Sequence, residues 1–161
     1  MSQIIKVGIS DLNVATVPDT LVTFALGSCV GICLYDRNKK IAGLSHIMLP
    51  CSATSRDPSQ PYRFADTAIP LLVQKMVAKG ADKRKLVAKI AGGARMFGTI
   101  SDHSLANIGQ RNIIAVKEAL QKQGIPIIAD DTGKDYGRTV YFYPEDGKML
   151  VKSASKGEWV W

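Results

Sequence analysis

Apolar and polar positions along this chain follow two periods. Short apolar runs at 4–10, 21–25, 30–35, 41–48, 86–90, 127–129, 139–143 and 149–152 are bounded by Gly, Pro, Asn or Asp. Runs of that length between turn formers predict β-strands. Turns are expected at Asp11 and Asn13, at Pro18-Asp19, at 131–137 and at 144–147. Two stretches carry the helical period instead. Ala65, Ala68, Ile69, Leu72, Val73, Met76 and Val77 make one apolar stripe that stops at Gly80, a residue suited to a left-handed cap. Pro70 lies inside this stripe, so the regular helix either begins near Ile69 or bends there. In the second stretch Asn107 is placed to cap, with Gln110 as its box partner. Ile113, Val116, Ala119 and Leu120 form the buried face, and Gly124 and Pro126 end it.

Two helices among so many strands are too few for regular βαβ alternation, which points to an α+β fold with hairpins. The 161 residues suit a single domain, 1–161, and show no repeat or linker. The polar segment 51–61 is long for a plain connection and suits a rim or lid.

One hairpin carries candidate chemistry. The run Thr23-Phe24-Ala25-Leu26 meets a Gly27-Ser28 turn that delivers Cys29, and His46 sits in the apolar run before Pro50. A four-residue loop at 36–39 would make paired positions sum to 75 and set Cys29 opposite His46. A two-residue loop at Asn38-Lys39 gives 77 and makes them diagonal neighbours. Either register keeps both on one face, whereas a one-residue slip separates them. A thiol on a tight turn beside an imidazole is the pairing of a nucleophile with its base. Backbone N–H groups at Gly27 and Ser28 could face an oxyanion, and Thr23 is the nearest polar group able to orient the imidazole.

Composition narrows the alternatives. Net charge is +7 and the isoelectric point about 9.4, so acidic partners are favoured. Lys75, Lys79, Lys83, Arg84, Lys85 and Lys89 cluster, but no aromatic residue interleaves them as a base-stacking platform would, and nucleic acid is not expected. No apolar run approaches a membrane span, and the start lacks the features of a signal peptide, so membrane insertion is not expected and the cytoplasm is. Three cysteines without a C-x-x-C pair read as thiols, with Cys33 and Cys51 as small buried hydrophobes. Residues 92–98 are glycine-rich but match no phosphate-binding loop. Cys29, Cys33, His46 and His103 lack zinc-site spacing, so neither metal nor cofactor is expected, and His103 reads as a loop residue.

Thr23, the Leu26-Gly27-Ser28-Cys29-Val30 run and His46-Ile47-Met48-Leu49-Pro50 resemble the chemoreceptor glutamine deamidase family, CheD. So do Phe64-Ala65-Asp66, Ala91-Gly92-Gly93-Ala94-Arg95-Met96-Phe97, Asn107-Ile108-Gly109-Gln110-Arg111-Asn112, and Asp131-Thr132-Gly133 through Gly137-Arg138-Thr139. Ala91 stands where Phe is frequent, and Lys134 where a second Gly is common. The resemblance implies a three-layer α/β/β sandwich of mixed, largely antiparallel sheets with two main helices. It implies Cys29 as nucleophile, His46 as base and Thr23 as the residue that orients it. The implied substrates are glutamines on the cytoplasmic helices of methyl-accepting chemotaxis receptors. Receptor methyl-ester hydrolysis and a CheC phosphatase partner are implied as well. The reading set against it is a non-catalytic adaptor that binds receptor and phosphatase.

Overall fold

Two strands are buried at every position, as strands covered on both faces must be: Val30–Asp36 and Ile41–Ile47. They lie at the centre of the computed structural model, which describes residues 1–54, 59–96 and 107–161. Ten strands and two α-helices occur among the described residues. The strands are β1 (Ile4–Lys6), β2 (Asp11–Thr16), β3 (Thr20–Leu26), β4 (Val30–Asp36), β5 (Ile41–Ile47), β6 (Leu86–Gly92), β7 (Ile127–Thr132), β8 (Arg138–Phe142), β9 (Met149–Ser153) and β10 (Gly157–Val160). The helices are α1 (Ala65–Ala78) and α2 (Ile108–Lys122).

The strands form two five-stranded sheets, ordered β2-β5-β4-β6-β7 and β1-β3-β8-β9-β10. Each holds one parallel pair, β6 with β7 and β1 with β3, and the remaining pairs are antiparallel. Both helices cover the outer face of the first sheet, where Leu72, Met76, Val116 and Leu120 pack on Ile32, Leu34 and Ile90. Its inner face meets the second sheet through Leu21, Leu26, Cys33, Leu44, Val140 and Phe142. The layers are therefore helix, sheet, sheet, the α+β sandwich expected. β4 and β5 read as apolar runs because one face serves each core.

Four local expectations change. The segment at Asp11 and Asn13 is not a turn but β2, an edge strand. Asp11 Oδ1 accepts from Leu12 N–H and Asn13 Oδ1 from Val14 N–H, each at 2.8 Å. The turn-forming side chains thus satisfy donors that an edge leaves unpaired. The first helix starts at Ala65 and runs through Pro70, which falls in its second turn and forfeits one backbone bond. Asn107 occupies the N-cap of α2 without capping it: its Oδ1 instead accepts from Arg95 Nη2 at 3.5 Å. β10 was not anticipated, because its four residues show no alternating burial. Of segment 51–61, short 3₁₀ turns form at Ser52–Thr54 and Pro61–Arg63, and the rest of the expected rim lies outside the described residues or without regular structure.

Candidate active site

Gly31 pairs with His46 and Val30 with Ile47, so paired positions sum to 77. The register of direct opposition is therefore not adopted. The turn is also wider than the two-residue loop that would give this sum, because pairing ends at Asp36↔Ile41 and residues 37–40 close it. Asp36 Oδ1 accepts from Asn38 and Lys39 N–H, at 3.0 and 3.1 Å, and so sets the loop. Cys29 precedes Gly31 by two residues and is a diagonal neighbour of His46 on the same face. That face looks towards the second sheet, since Ala42, Leu44 and Cys33 of the same parity lie in the core between the sheets. A Cβ at Gly31 would meet Leu26 Cδ1 at 3.1 Å and Thr23 Cγ2 at 3.7 Å, so glycine here leaves room for those two side chains of the facing sheet.

His46 and Thr23 meet across the two sheets. Both are fully buried, and His46 Nδ1 lies 2.6 Å from Thr23 Oγ1. Thr23 Oγ1 also donates to the Val7 carbonyl at 2.7 Å. A hydroxyl has one proton, and a carbonyl can only accept, so that proton is spent on Val7. Nδ1 must then carry its own hydrogen and donate to Thr23. The unprotonated nitrogen is Nε2, which is buried and has no hydrogen-bond partner among the described residues. Burial pushes the His46 pKa down to about 4. The ring is a neutral base with its lone pair unspent.

The turn that bears Cys29 is built by β3 and braced from the end of β6. β3 carries a one-residue bulge between Thr23 and Leu26, with Ala25 at φ 60°, and Ala25 O accepts from Gly27 N–H at 3.1 Å. The chain then turns through Ser28 to Cys29. Gly93 N–H donates to Cys29 O and Ala94 N–H to Gly27 O, both at 2.8 Å. Gly92 sits at φ 110°, and a Cβ there would stand 2.3 Å from Cys29 O. This close approach is what the glycine-rich stretch provides, in place of a phosphate cradle. Ser28 N–H makes no backbone hydrogen bond among the described residues. Cys29 is half-buried, and burial raises its thiol pKa above the ordinary value. It makes no hydrogen bond to His46 in this state.

Asn112 of α2 is a site residue that the sequence reading did not single out. It is fully buried, and its Nδ2 donates to Ser28 O at 2.9 Å and to Met48 O at 3.0 Å. One side chain thereby ties the turn before Cys29 to the segment after His46. A signal existed: residue 112 lies four before Val116 on the core-facing stripe, where an amide is out of place.

The other titratable candidates lie elsewhere. Cys33 is buried between the sheets with its pKa raised by burial, and Cys51 Sγ faces Asp66 Oδ2 at 3.7 Å. His103 falls outside the described residues. Among the described residues no three His, Cys, Asp or Glu side chains converge as metal ligands. No helix among them is long and apolar enough to cross a membrane. A cleft of about 720 Å³ is lined by Arg95, Lys134, Asp135, Tyr136, Lys156 and Trp159 and does not include Cys29. A half-buried thiol on a turn is suited to a side chain presented from a macromolecular surface rather than to an enclosed small molecule.

Comparison with known proteins places the chain in a family. Residues 48–153 match the family described as CheD chemotactic sensory transduction. The chemoreceptor glutamine deamidase CheD of Halalkalibacterium halodurans is 47% identical over 159 residues, 98% of each chain. The chain belongs to the CheD family. The proteins of Caldanaerobacter subterraneus and Syntrophomonas wolfei, each named as a probable chemoreceptor glutamine deamidase CheD, are 51% and 49% identical over 97% and 98% of this chain and 96% and 98% of their own. The family match begins at Met48, beyond Thr23, Cys29 and His46, whereas these CheD relatives align over nearly the whole chain.

Proposed function

We propose that this chain hydrolyses glutamine side chains of chemotaxis receptors to glutamate, with Cys29 as nucleophile, His46 as base and Thr23 as the residue that orients His46. The observation that carries the mechanism is the committed tautomer of His46, whose only available lone pair is on Nε2, on the sheet face it shares with Cys29. Near-full-length kinship with proteins named for receptor glutamine deamidation supports the substrate.

Thiol and imidazole are both neutral at rest. As the substrate carboxamide approaches, Nε2 takes the thiol proton while sulfur bonds to the amide carbon. The amide oxygen, now negative, is held by the Ser28 N–H, because the Gly27 N–H expected to share that task is given to Ala25 O. Collapse breaks the carbon–nitrogen bond, and the imidazolium gives its proton to the leaving ammonia. Water, deprotonated by Nε2, then attacks the thioester, and the carboxylic acid leaves as the thiol re-forms. A methyl ester would enter the same sequence with methanol as the leaving group. Residues 1–161 act here as one catalytic domain in the cytoplasm, with the CheC phosphatase as a second partner.

The test follows the amide-to-acid mass gain in a purified receptor cytoplasmic fragment. Cys29→Ala should fold as the parent does and produce none. Thr23→Val should lower kcat by more than it raises KM, since it frees the ring without touching the surface, and Thr23→Ser should restore most of the loss. Full turnover by folded Cys29→Ala would end the covalent mechanism. Receptor binding without turnover by the parent protein would leave an adaptor.

A further inference from the structure

We propose that the basic cleft beside the nucleophile turn docks carboxylates that flank the target glutamine on the substrate chain, an inference that rests on the deamidase reading above. Arg95, Lys134 and Lys156 line this cleft of about 720 Å³ against one acid, Asp135. All three cations are exposed, and none is in an ion pair among the described residues. A second cavity of about 280 Å³ shares Arg95 and Lys134 and reaches Gly93, whose N–H holds the Cys29 carbonyl. The basic surface therefore runs to the brace of the nucleophile.

The cations are brought together by the backbone. Arg95 N–H donates to the Lys134 carbonyl at 2.8 Å, which joins the two loops. Lys134 lies at φ 63°, in the left-handed region where glycine is at ease, yet a lysine occupies it. The walls are aromatic. Tyr136 and Trp159 meet edge to face at 6.2 Å, and Lys156 Nζ stands 5.9 Å from the Tyr136 ring centre. A guanidinium fork and two ammonium groups match carboxylates, and aromatic walls accept the methylene stems behind them. Glutamates one or two helical turns from a glutamine offer that pattern on one face. The reaction itself makes such groups. A helix deamidated once carries a new carboxylate, so the cleft would favour its next glutamine.

The two tryptophans of the chain, Trp159 and Trp161, both donate to Asp131, and Trp159 lines the cleft, so intrinsic fluorescence reports its occupancy. The experiment titrates wild type with two helical peptides sharing a central glutamine. One carries glutamates three, four and seven residues away on both sides, and the other carries glutamines there. The glutamate peptide should bind about tenfold more tightly, and added salt should erase the difference. Lys134→Glu/Lys156→Glu should lose about tenfold in affinity for it, and the milder Lys134→Gln/Lys156→Gln about threefold, with circular dichroism unchanged. At saturating peptide kcat should stay at the parent value while KM rises. Equal affinities for both peptides, or binding indifferent to the charge changes, would overturn the proposal. So would tighter binding of a single-stranded oligonucleotide of equal charge, which would assign the cleft to nucleic acid. Absence of deamidation of either peptide and of a receptor fragment would fell the deamidase reading instead, and the fluorescence titration would still decide the cleft.

Discussion

At the scale of single residues, the mechanism proposed above turns on a histidine kept neutral by its surroundings. His46 holds its one hydrogen on Nδ1 for Thr23, and its burial disfavours a second. Neutral imidazole and raised thiol pKa together mean that no thiolate–imidazolium pair waits in the resting site. The same burial makes folding sensitive to acid. The His46 pKa falls from 6.5 to about 4 on folding, so between those values the unfolded chain binds a proton that the folded chain refuses. Stability therefore drops as pH falls through that window, by up to ~3 kcal/mol. Urea midpoints measured from pH 7 to 4 should show this loss in wild type and a clearly shallower slope in His46→Gln. Equal slopes in the two proteins would mean that His46 is protonated in the fold. Cys29 and His46 stand out as candidates in the sequence because turn chemistry and strand parity are local, and Thr23 stands out chiefly through the family resemblance. The sharing of the Thr23 proton does not, since Val7 enters only through the pairing of β1 with β3 and the chain that follows β1.

At the scale of elements, α2 does more than cover a sheet. Asn112 spans from the helix to two backbone carbonyls on either side of the hairpin, and truncation would leave both without this donor in a partly buried place. Asn112→Ala should cost about 1–3 kcal/mol in urea unfolding. It should also lower kcat more than it changes KM, because the turn bearing Cys29 would lose its anchor relative to β5. A stable variant with unchanged kcat would reduce Asn112 to packing. The long apolar strands and both helices were legible from periodicity. β2 was misread because Asp11 and Asn13 are turn formers by composition, and only the sheet order shows that they cap an exposed edge. The hairpin register stayed open between two sums because the loop sequence suits more than one turn, and tertiary pairing with β6 decides it.

At the scale of the molecule, two of the polar ties between the sheets join side chain to side chain. One is Thr23 to His46. The other joins Asp131 of β7 to Arg138 of β8 by a buried ion pair at 3.0 Å, with Trp159 and Trp161 donating to the same carboxylate. Asp131→Ala would leave a buried guanidinium without its counter-charge and should destabilise the fold by about 3–5 kcal/mol, seen as a lowered urea midpoint. A loss below about 1 kcal/mol would mean that Arg138 finds solvent instead. None of this tie was readable in advance, because Asp131 looks like a turn residue and its tryptophan partners are distant in sequence. The first tie has a wider consequence. A 2.6 Å hydrogen bond from one sheet to the other makes the gap between the layers a dimension of the chemistry. Residues that set that gap, such as Leu44, Val140 and Phe142, are then answerable for turnover as well as for melting temperature. The core beneath the helices sets no such distance between Thr23 and His46. Over evolutionary time the helix layer is free to trade methylenes, while the sheet-to-sheet layer behaves as a spacer cut to length.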